Sequence, residues 1–199
     1  MKKRTIALLM AMVMLFGATV AGTIAWLHAT SATVTNTFSA GDVGLVLNES
    51  PLKADGKTVD KNATKVTSNN GYKLIPGNVL EKDPKVTIDS DSEPCYVFLK
   101  VEKENSVDSY ITYSIDTTEW KALSGVNNVY YKENVTAGTV INVLTEEKVT
   151  VKTDVTKTQL EALTENTLPQ LKFTAYAVQK ENVADAATAW QIAQGIKTN

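Results

Sequence analysis

The chain is poor in the residues that carry chemistry. Its 199 residues include one cysteine and one histidine. A single cysteine excludes an intrachain disulfide, so an exported form would depend on its core for stability. Cys95 heads the run Cys95-Tyr96-Val97-Phe98-Leu99 and alternates with Val97, Leu99 and Val101. That is the placement of a small buried hydrophobe, not of a nucleophile. The lone histidine, His28, excludes the His-Glu-x-x-His pattern of zinc hydrolases. For a serine triad it leaves one base, close to the N-terminus. No Gly-rich phosphate loop or dinucleotide fingerprint is present. The expectation is a protein that is not an enzyme, with no catalytic residue, metal ligand or cofactor.

Charge is absent from one long stretch. After Lys2, Lys3 and Arg4, no charged side chain occurs until Asp42. Those three account for part of the 20 basic residues, so the remainder carries 17 against 22 acidic ones. A net acidic body of this kind disfavours nucleic acid, whose phosphates need a basic face. With 43% hydrophobic and 21% charged residues the composition is globular, and the length suits one domain.

The uncharged stretch has the layout of a secretory signal. A basic cluster precedes an apolar run from Ile6 to Leu27, which ends among small residues: Gly17, Ala18, Ala21, Gly22, Thr23 and Ala25. Thr23-Ile24-Ala25 offers small side chains at both ends of the tripeptide, so cleavage is expected between Ala25 and Trp26. Ala29 and Ala32 are the alternatives, and an uncleaved anchor is the other reading, since some 20 apolar residues span a bilayer. The expected organisation is a signal over 1–25 followed by one domain over 26–199. The membrane is then met only through the signal segment.

Beyond it the pattern is mostly strand. Thr33-Val34-Thr35-Asn36-Thr37-Phe38 is β-branched and alternating, and Val43 to Leu47 continues after a turn at Gly41-Asp42. Ser50 to Tyr72 is dominated by Lys, Asp, Asn, Thr and Gly and reads as a long exposed loop or hairpin excursion. Further strands are expected at Lys85–Asp89, Cys95–Lys103, Tyr110–Ile115, Val129–Glu133 and Val140–Val143, at Val149 and Val151, and over Leu171–Ala177. The last places Leu171, Phe173, Ala175 and Ala177 on one face. Thr156 with Gln159 forms a capping box ahead of a short helix, and Asp185 caps a second one carrying Ala186, Ala189, Trp190 and Ala193. Many short strands with two minor helices predict an antiparallel β-sandwich or jelly-roll. The densest acidic run, Asp89-Ser90-Asp91-Ser92-Glu93, has oxygen donors for calcium but lacks the spacing and glycine of a calcium loop, and reads as a solvated turn.

Several of these segments occur in a familiar order. Gly22-Thr23-Ile24-Ala25-Trp26-Leu27, followed by Val34-Thr35-Asn36-Thr37-Phe38-Ser39-Ala40-Gly41-Asp42-Val43, resembles the start of the TasA/camelysin family. The match departs from the family pattern at Trp26-Leu27-His28. Pro76-Gly77, Lys82-Asp83-Pro84-Lys85-Val86 and Cys95 to Val101 are similar to the clostridial-type branch, as is Thr174 to Gln179 leading to Ala186-Ala187-Thr188-Ala189-Trp190. The resemblance implies a jelly-roll protein processed by a signal peptidase of the SipW type. It implies secretion to the surface or biofilm matrix of a Gram-positive-type bacterium, with self-association or related matrix subunits as partners. It also implies fibres built by strand donation. In that scheme the terminal segment 26–40 is the donor, and Val34, Thr35, Thr37 and Phe38 carry the pairing. Two other readings stay open: a camelysin-like metalloendopeptidase, and a surface adhesin or ligand-binding module.

Overall fold

The computed structural model describes residues 41–195. The expected signal segment with its Ala25–Trp26 junction, His28 and the expected donor positions Val34, Thr35, Thr37 and Phe38 lie outside the described residues.

The described domain is mostly β, with ten strands in three antiparallel sheets and two α-helices. The strands are β1 (Leu45–Asn48), β2 (Val79–Glu81), β3 (Lys85–Ile88), β4 (Cys95–Glu104) and β5 (Ile111–Thr112). They continue with β6 (Lys121–Ala122), β7 (Val129–Val135), β8 (Val140–Asn142), β9 (Lys148–Val151) and β10 (Gln170–Gln179). The helices are α1 (Lys157–Glu161) and α2 (Ala186–Ala193). The sheets run in the orders β1-β3-β8, β10-β4-β7-β6 and β2-β9-β5.

β4 organises the core because both of its faces are apolar. Cys95, Val97, Leu99 and Val101 turn inward, joined by Val86, Ile88, Ile141 and Val143 and by Val149 and Val151 from the other sheets. The opposite face of β4 carries Tyr96 and Phe98, which pack with Val129, Val178 and Ala189. α2 covers this second face. Its Trp190 ring lies 5.3 Å from Phe98 and meets Tyr176 edge-on at 5.4 Å. Asp185 starts α2 by accepting a hydrogen bond from the Thr188 amide, and that bond holds its carboxyl below the usual range. Thr156 and Gln159 form the reciprocal capping box of α1.

The first and third sheets are linked by one bent ribbon. β2 pairs β9 and β3 pairs β8, and between them the Lys82 amide donates to the Glu147 carbonyl while the Val143 amide donates to that of Pro84. Residues 79–88 thus run antiparallel to 140–151 throughout. The second strand takes up its extra residues at Glu146 and Glu147, both at positive φ (55° and 52°).

Two parts of the sequence reading need correction. Tyr110–Ile115 is not one strand. Only Ile111–Thr112 pairs with β9, and the chain then leaves the sheet so that Ile115 bridges Leu144. β2 and β6 were not expected. Each is three residues or fewer, too short for a period to show.

The Trp190 contact gives a direct stability test. Trp190→Ala should cost about 3 kcal/mol, because it empties the space between α2 and Phe98. The checks are a lower urea midpoint and a far-UV spectrum that retains its strand signal.

Candidate functional site

Among the described residues β1 pairs only with β3 and β10 only with β4, so each ends its sheet. β1 and β10 approach each other closely, and together with residues 67–74 they line a groove of about 780 Å³. Leu47, Leu74, Leu171 and Phe173 line it. All four belong to the core yet are only partly buried. Ala175 and Ala177 continue the same half-covered face along β10.

A buried polar cluster fixes the wall of this groove. Ser50 is fully buried and donates twice to Asp83: its amide to Oδ1 at 2.8 Å and its hydroxyl to Oδ2 at 2.6 Å. Lys65 Nζ donates to Ser50 Oγ at 2.5 Å and lies 3.7 Å from Asp83. Asn69 ties the strand on its other side, accepting from the Leu52 amide and donating to the Ser50 carbonyl, each at 2.7 Å. Beside them Lys82 Nζ binds the buried Glu49 carboxylate at 2.8 Å and sits 5.3 Å from the Tyr72 ring centre. The Tyr72 hydroxyl is buried without a hydrogen-bond partner. Burial above all, with the Glu49 and Asp83 carboxylates, pushes its phenol well above the ordinary range, against a smaller opposite pull from Asn69. Tyr72 therefore stays neutral.

A serine, a lysine and an aspartate in contact also resemble a hydrolytic site. Here the serine has no exposed surface, and both of its donors are spent on the same carboxylate. The arrangement pins the start of the 50–72 segment to the bend between β2 and β3 and offers a substrate no approach. The rest of that segment carries exposed side chains at Lys53, Asp55 and Lys57, whereas Val59 is buried.

The remaining chemistry-bearing residues do not converge. Asp89, Asp91 and Glu93 are all exposed on the turn between β3 and β4. Among the described residues no three His, Cys, Asp or Glu side chains gather as metal ligands. Cys95 is buried, and desolvation pushes its thiol up to about 11, so little thiolate forms at neutral pH. Glu147 is clasped by Lys61 at 2.6 Å and Lys85 at 2.7 Å. Hydrogen bonds from Lys61 first and Lys85 second hold its carboxyl below the ordinary glutamate range.

Sequence reasoning missed the groove and the Ser50–Asp83 tether. The two residues are 33 positions apart, and neither lies in a pattern that names the other. No family model, curated protein or solved structure matches the chain.

Two outcomes follow from these contacts. Asp83→Ala strands the Ser50 amide and hydroxyl in the interior and should cost about 3 kcal/mol by urea unfolding. For Glu147 the folded carboxyl titrates below its unfolded value. Its contribution is therefore complete above the ordinary glutamate range and is lost as pH falls through the folded value. Glu147→Gln should lower stability at neutral pH by about 0.5 kcal/mol, discounted for the exposed lysine partners. Unfolding midpoints measured across pH should show wild type and variant meeting in acid.

Proposed function

We propose that the protein is a secreted structural subunit of the bacterial surface or biofilm matrix, whose jelly-roll-type domain assembles by accepting a strand from a second copy. The observation that carries this reading is the groove lined by β1 and β10, with two edges unpaired among the described residues and a half-covered apolar lining. The occupant is the segment 33–38 of a neighbouring chain, released by signal cleavage between Ala25 and Trp26 by a peptidase of the SipW type. Six residues extend about 20 Å, which fits along the ten-residue edge of β10. Val34 and Phe38 fall on one face of such a strand and would cover the side chains of Leu171 and Phe173. Thr35 and Thr37 would lie on the opposite face. Main-chain bonds to a free edge supply the affinity, and alternate side chains supply the register.

A structural role also accords with the inert state of the chemical groups. The Cys95 thiol is buried and protonated, and Ser50 is sealed from solvent.

The test compares the mature chain 26–199 with a form lacking 26–40. Electron microscopy and sedimentation should show the mature chain elongating and the shortened one remaining a soluble monomer. A synthetic Ser31–Ala40 peptide should bind the shortened form and block elongation of the mature one. A mature chain that stays monomeric at high concentration, or fibres from the shortened form, would overturn the proposal.

A further inference from the structure

Asn70–Gly71 is the one Asn-Gly pair in the chain, and both residues lie on the rim of the groove. We propose that Asn70 is a site of spontaneous modification in the folded protein, its side-chain amide converting to a carboxylate by attack of the Gly71 main-chain nitrogen.

The reaction needs a free amide nitrogen, an untethered asparagine side chain and no side chain on the following residue. All three conditions are met here. Among the described residues the Gly71 amide donates to no acceptor, and the Asn70 side chain makes no hydrogen bond. Both residues are exposed. A Cβ placed on Gly71 would find nothing within 4 Å, and its φ of +97° suits glycine.

Comparable sites among the described residues are closed. The following amide at Asp55–Gly56 is already bonded to the Lys53 carbonyl at 3.0 Å. The Asp55 carboxylate is held by the Lys57 and Thr58 amides and the Thr58 hydroxyl. Those bonds, led by that of the Thr58 hydroxyl, bring its carboxyl down to about 2. It is therefore ionised at neutral pH and a poor electrophile. Asn69 is tied at both ends of its amide, and Asn105 is tied to the Asn166 and Leu168 carbonyls.

The steps balance with water as the only co-reactant. The Gly71 nitrogen loses its proton to solvent base and bonds to Asn70 Cγ. The Cγ–Nδ2 bond breaks, ammonia leaves with the proton it requires, and a five-membered succinimide remains. Water then adds to either carbonyl of the ring and reopens it to aspartate or isoaspartate. The net change is amide plus water to acid plus ammonia, with no oxidation or reduction.

The consequence is local and cumulative. A neutral rim residue becomes an anion in a groove already lined by Glu49, Glu102 and Glu165. The isoaspartate product also adds a methylene to the main chain between Asn69, which pins Ser50 and Leu52, and Tyr72 of the groove wall. The groove would thus change with the age of the protein.

The experiment incubates the folded full-length chain at mildly alkaline pH and maps peptides by mass and by isoaspartate-specific methylation. Conversion at Asn70 should exceed that at every other asparagine by an order of magnitude, and Asn70→Gln should remove the product. The same chain unfolded in urea supplies the intrinsic rate. An Asn70 that converts in urea yet persists in the folded protein would overturn the proposal, as would conversion spread evenly over the asparagines.

Discussion

The pairing of β4 with β10 on one side and β7 on the other sets the frame of the described domain. β10 pairs along the whole of Cys95–Glu104, residue for residue. β7 takes the other edge, with a register shift between Cys95 and Val97. Each face of β4 must then be covered separately, because Val97 and Leu99 point one way and Tyr96 and Phe98 the other. The inner face is covered by the two smaller sheets. The outer face is too aromatic to meet water, and α2 with its alanines approaches closely enough to seal it. A strand buried on both faces removes much apolar surface from water per residue, and this is the largest favourable contribution available to a chain without disulfides.

Among the described residues the same frame ends at two sheet edges: β10 pairs along one edge only, with β4, and β1 likewise with β3 alone. Natural sheets usually blunt such edges with charge, proline or a covering loop. Here the edges carry Leu47, Leu171, Phe173, Ala175 and Ala177, half-covered and apolar, beside Pro169, Lys172 and the 67–74 stretch. Beside them Asp83 grips Ser50 through two donors, and Asn69 grips Ser50 and Leu52. Charge-assisted bonds among buried groups hold the start of the 50–72 segment firmly in place.

The amino-acid order alone determined the local elements where a pattern ran long enough to be read. The alternation in Cys95–Lys103 and Leu171–Ala177 placed β4 and β10, together with the residues that turn inward, because a strand has a fixed period of two. Thr156 with Gln159, and Asp185, placed both helix starts, because a cap satisfies amides a few residues away. The single Cys95 was read as buried and is buried, since its neighbours at every second position are apolar. Only the tertiary structure decided which strands are edges, that Val79–Glu81 joins Lys85–Ile88 in one bent ribbon, and that Ser50 meets Asp83. These depend on contacts between residues tens of positions apart. A hydrogen bond or an unpaired edge is a property of two segments brought together, and no single segment carries it.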